Sequence, residues 1–60
     1  MYVLRVLVWA LCEESGRLEE QTWTFRCCTM DSVTRNLEWV RDCFLGPDER
    51  IIDWHTSRQA

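Results

Sequence analysis

Five side chains in this 60-residue sequence carry types often used for metal binding or nucleophilic chemistry: Cys12, Cys27, Cys28, Cys43 and His55. Zinc would need three or four of them to converge as a tetrahedron of thiolate and imidazole ligands. The spacing argues against that. No C-x-x-C pair is present, and Cys27 and Cys28, as neighbours on an extended chain, point to opposite sides. A thiol nucleophile would need one cysteine activated by His55 or by a helix N-terminus. Cys28 lies just before a predicted helix start, yet no catalytic motif surrounds it. The expectation is no enzyme, no cofactor and no metal site, with the thiols packed as small apolar groups. A small Cys/His metal-binding module is the alternative these residues leave open.

Charge narrows the partners. Ten acidic residues face seven arginines and no lysine, for a net charge of −3. A phosphate-backbone binder needs clustered basic residues. Here the arginines are scattered, so direct nucleic-acid binding is not expected. The densest negative group is Glu13, Glu14, Glu19 and Glu20, which flank a turn. Such an acidic tip is either a solvated turn or a finger for a basic partner. The latter gives a second alternative, an acidic DNA-mimic inhibitor.

No segment reaches the roughly 18 apolar residues that span a bilayer, so no membrane role is expected. Arg5 interrupts the N-terminal apolar run and no A-x-A site follows, which argues against a signal peptide. A reducing cytoplasm, with free thiols, is the expected setting.

The elements that must carry these residues follow from the hydrophobic pattern. Tyr2–Cys12 is apolar except for Arg5 and rich in Val, Leu and aromatics, as a buried strand should be. Leu18–Cys28 contains TWTFRC, with polar and bulky residues alternating at period two. A Ser15-Gly16 turn would pair Val8 with Trp23, Val6 with Phe25 and Leu4 with Cys27. It would also set Arg5 against Arg26, where like charges repel.

Thr29 reads as a helix N-cap, with Asp31 favourable to the dipole in the first turn. Met30, Val33, Leu37, Val40 and Phe44 form one stripe, so the helix should span about 30–45 and stop at Gly46-Pro47. Arg50–Thr56 is a third strand, with Ile52 and Trp54 on one face and Ile51, Asp53 and His55 on the other.

A right-handed crossover from the second strand to the third places the first strand in the middle. The predicted fold is α+β, β-β-α-β: a three-stranded antiparallel sheet in order 2-1-3 with one helix on one face. It forms a single domain over residues 1–60, with 57–60 a frayed tail. Leu4, Val6, Val8, Trp23 and Phe25 should face the helix.

The other face should then carry Val3, Arg5, Leu7, Trp9, Leu11 and Arg26, with Ile51 a further addition, and act as a partner-binding surface. A small domain lacks apolar surface to bury on both sides of a sheet. On the helix, Trp39 lies about 130° from the stripe at 100° per residue, beside Arg35, and is a second candidate anchor. The function expected is a small cytoplasmic protein–protein interaction module, an inhibitor or adaptor of the kind phages encode against host proteins. It would bind itself as a homodimer stacked through the open face, a larger host protein, or both. A purely structural oligomer subunit is the remaining alternative.

Overall fold

The computed structural model describes residues 1–59. Strand β1 (Tyr2–Cys12) is the centre of a three-stranded antiparallel sheet, with β2 (Arg17–Cys27) on one side and β3 (Arg50–Arg58) on the other. Helix α1 (Met30–Trp39) continues into a π-helical turn, Val40–Phe44. The α+β architecture, the strand order 2-1-3 and the single helical layer are those read from the pattern. Among the described residues, no helix is long and apolar enough to cross a membrane.

The β1–β2 register is two residues away from the one a Ser15-Gly16 turn requires. Val6 faces Trp23, Leu4 faces Phe25 and Tyr2 faces Cys27. The turn is four residues, Glu13–Gly16, and the Gly16 N–H donates to the Cys12 carbonyl at 2.8 Å. The reason lies in backbone sterics. A two-residue type I′ turn needs positive φ at both central positions. Among the described residues only Gly16 takes one (φ 70°). The shift preserves parity, so each side chain keeps its face. It also removes the Arg5–Arg26 conflict: Arg5 lies between Thr24 and His55, and Arg26 lies opposite Val3.

The core is small. Leu4, Val6, Val8 and Ala10 of β1 are buried with Cys27, Val33 and Val40. Tyr2, Trp23, Phe25, Leu37, Leu45 and Ile51 pack around them. Thr29 caps α1 as expected, its Oγ1 accepting from the Ser32 N–H at 3.1 Å. The Asn36 amide donates to the Ser32 carbonyl at 2.7 Å and to Cys27 Sγ at 3.4 Å, tying α1 to the end of β2.

The ends of the helical stripe depart from expectation. Met30 and Phe44 are exposed, while Val33 and Val40 carry the contact. For Phe44 the cause is the π turn, closed by the Leu45 N–H on the Val40 carbonyl at 3.1 Å. This i→i+5 bonding widens the last turn, so Phe44 no longer stacks in line on Val40.

Strand β3 also departs in two ways. It runs on to Arg58, and the Gln59 N–H donates to the Met1 carbonyl at 2.8 Å. The predicted frayed tail is therefore strand over Ser57 and Arg58; Ala60 lies outside the described residues. A β-bulge interrupts pairing between Leu7/Asp53 and Val8/Ile51, leaving Ile52 as the extra residue. The bulge turns Ile51 onto the core, not the open face, and leaves Trp54 opposite Val6. Asp53 and His55 stay on the open face beside Leu7 and Arg5. Because α1 lies over β1 and β2, Ile52 and Trp54 remain exposed.

Candidate protein-binding surfaces

Pleat alternation and the observed register assemble the open face row by row. Arg26, Val3 and Ser57 form the first row; Thr24, Arg5 and His55 the second. Thr22, Leu7 and Asp53 come next, then Glu20, Trp9 and Arg50, and finally Leu18 beside Leu11. The six residues expected on this face are thus all on it. Val3, Leu7 and Trp9 are half-buried by their neighbours, and Leu11 is 54 % exposed. Leu18, which faces Leu11 in the observed register, extends the apolar column; the expected register set it on the same face but opposite Glu13. A shallow depression of about 200 Å³ between Arg5, Leu7, Thr22, Asp53, Trp54 and His55 opens on β3.

The four acidic residues do not form one tip. Glu13 and Glu14 stand in the turn. Glu19 pairs with Ala10 and so points to the helix side, whereas Glu20 pairs with Trp9 on the open face. The two-residue register shift moves both of them back from the turn.

A second apolar surface lies on the helix side. Phe44 packs edge-on against Trp39 (ring centroids 4.3 Å apart, planes at 74°) and against Trp23 (5.9 Å, 72°). These rings, with Thr24 and Phe25, line a groove of about 450 Å³ alongside β2. Trp39 is 47 % exposed and Phe44 51 %. Trp39 is therefore exposed as expected, but it belongs to an aromatic row that reaches the sheet. Arg35 is exposed on the helix and does not line the groove. No sequence signal marks this row, because Trp39 and Phe44 are five apart and meet only through the π turn.

At the far end of β1, Glu49 acts as a clamp. Its carboxylate accepts from the Leu11 N–H and the Gly46 N–H, both at 2.6 Å. Those two backbone donors hold its pKa below the ordinary glutamate range. The clamp satisfies a β1 donor that β3, which starts opposite Trp9, does not reach. Position 46 suits glycine here, since a Cβ would meet the Glu49 carboxylate at 3.0 Å. Leu11, Leu18 and this loop enclose a further hollow of about 330 Å³.

The cysteines do not share one environment. Cys27 is buried and Cys12 partly so, but Cys28 and Cys43 are exposed, contrary to the expectation of packed thiols. Cys28 follows the last residue of β2 and Cys43 lies within the π turn, both outside the core. Among the described residues, no three His, Cys, Asp or Glu side chains converge as a metal-ligand group. No family model, curated protein or solved structure matches this chain.

Proposed function

We propose that this protein is a protein–protein interaction module, an inhibitor or adaptor that works by binding a larger protein through its open sheet face. The observation that carries this reading is the column Val3, Leu7, Trp9 and Leu11, widened by Leu18, with no helix across it. Trp9 sits between Glu20 and Arg50 in its row. An aromatic anchor ringed by polar residues is the usual composition of a binding hot spot.

Charge favours a foreign occupant of this face over a stacked second copy. Arg5 stands in the middle column, between Val3 and Leu7 along β1. In a symmetric face-to-face dimer the two middle columns meet, so Arg5 would face Arg5, Leu7 or Trp9 of the other copy. The carboxylates of this face, Glu20 and Asp53, stand only in the flanking columns, and a guanidinium buried without a close partner is costly. The partner we propose brings an acidic group to Arg5 and Arg26 and an apolar group to Trp9 and Leu11.

The test is affinity capture from host-cell lysate with wild type, Trp9→Ala and Arg35→Ala. A protein retained by wild type and Arg35→Ala but lost with Trp9→Ala, at unchanged circular dichroism, supports the reading. Capture that is equal for all three, or absent for all three, removes the open face as the binding surface.

A further inference from the structure

We infer that the free edge of β2 is a second, separate interface, at which two copies of this chain pair antiparallel into one six-stranded sheet. The argument begins with which way each residue's peptide groups point. In an antiparallel sheet, alternate residues of a strand bond to opposite neighbours. The Met1 carbonyl bonds to Gln59, which follows β3, and the Leu11 N–H bonds to Glu49, which precedes it. Odd-numbered β1 residues therefore bond toward β3 and even-numbered ones toward β2. Through the β1–β2 register, Tyr2, Leu4, Val6 and Val8 engage Cys27, Phe25, Trp23 and Gln21. The even-numbered β2 residues, Glu20, Thr22, Thr24 and Arg26, are left with N–H and C=O groups aimed outward.

This edge is long and unbroken. β2 has eleven residues, with no Pro and no interruption in its register, and its charged residues, Arg17, Glu19, Glu20 and Arg26, are of mixed sign. Natural sheets blunt such edges to prevent pairing with another chain. A strand that is not blunted is a template for one.

The sequence of β2 selects itself as the occupant and also selects the register. When Trp23 is placed across from Trp23 of a second copy, Glu20 falls opposite Arg26 on both sides of the two-fold axis. Thr22 falls opposite Thr24. These are all outward-pointing residues, so the required hydrogen-bonded pairs coincide with opposite charges and with a Thr–Thr pair, both favourable across strands. Within one chain Glu20 and Arg26 are six residues apart, about 20 Å along a strand, so they meet only between copies. On the helix side, the Trp23 pair occupies the close, non-hydrogen-bonded position. The aromatic groove of each copy, lined by its own Trp23, Phe25, Trp39 and Phe44, then abuts that of the other. The two-fold axis runs through the sheet, so both open faces end on the same side and stay free for the partner proposed above.

The experiment is sedimentation equilibrium over a concentration series. Wild type should approach twice the 7.3 kDa chain mass. Thr24→Pro removes an outward N–H without touching the β1 ladder and should abolish the dimer while circular dichroism is retained. Glu20→Arg and Arg26→Glu should each weaken association about tenfold or more, from two like-charge pairs per dimer. An equimolar mixture of those two single variants should restore it, because every cross-copy pair is again of opposite sign. A wild-type monomer across the series would overturn the inference. So would a dimer that survives Thr24→Pro and both charge reversals but is lost with Trp9→Glu, which would place it on the open face.

Discussion

The two edges of this sheet have been treated differently. On β3, a bulge at Ile52 breaks the strand, and the outward Trp54 N–H is already taken by the Asp53 carboxylate at 2.8 Å. Among the described residues β2 has neither device, and an aromatic groove runs beside it. Both strands are amphipathic and both pair with β1, so hydrophobicity does not distinguish them. What distinguishes them is whether the outer row of peptide groups is continuous and unspent. An edge closed by a bulge and a local carboxylate belongs to the fold alone. An edge left open is available to another chain.

The largest effect should come from the strand that serves both edges. Leu4 is fully buried between Phe25 and Thr56. Leu4→Ala should cost about 3 kcal/mol in urea unfolding, as cavity-forming truncations do, and in so small a domain that abolishes a cooperative transition. Next, proline should separate the edges. Thr56→Pro, at an outward position of β3, should leave self-association unchanged, in contrast to Thr24→Pro on β2. Equal loss of dimer from both would erase the distinction between them.

Trp39→Ala should lower thermal stability only modestly, by about 1 kcal/mol, since the ring is half exposed and makes one aromatic contact. It should weaken self-association more than it weakens the fold, which calorimetry and sedimentation on the same variant would show.

Glu49 gives a pH signature on the β3 side only. Its pKa is lowered in the folded chain, so its contribution is present above the ordinary glutamate range and is lost as pH falls through the lowered value. Wild type should therefore be more stable than Glu49→Gln at pH 7, and the gap should shrink as the solution is acidified through that range. A gap that stays constant in denaturation from pH 7 to pH 3 would show that the carboxylate charge plays no part in the clamp. The smallest effect is expected from Asp53→Ala, which frees the Trp54 N–H. The bulge should still keep that edge unpaired, and the solution mass should not change.

Much of this was legible in the sequence because it depends on parity and periodicity. The run Tyr2–Cys12 had to be central, and alternation in TWTFRC placed Trp23 and Phe25 on the core side whatever the turn. Val33 and Val40 followed from helical spacing. The features that escaped are those where one residue is inserted or one turn widened. Ser15-Gly16 looks like a two-residue hairpin, but Ser15 does not take positive φ. The extra residue Ile52 exchanges the faces of Ile51 and its neighbours, and nothing in RIIDWHT marks it. The groove depends on a π turn, and nothing in VRDCF marks one. Consequently the open face could be named residue by residue, while the edge interface needed the register itself.

The bond between Gln59 and Met1 has a kinetic consequence. It joins the two ends of the described chain, so the sheet is completed only by a closure that spans nearly all of it. The β1–β2 hairpin has a four-residue turn and should form within microseconds. β3 must wait for the helix and then close a far longer loop, at a greater entropic cost. During that interval β1 presents a second bare edge, apolar along most of its length. Refolding yield should therefore fall as protein concentration rises, with the losses arising in the interval before β3 docks.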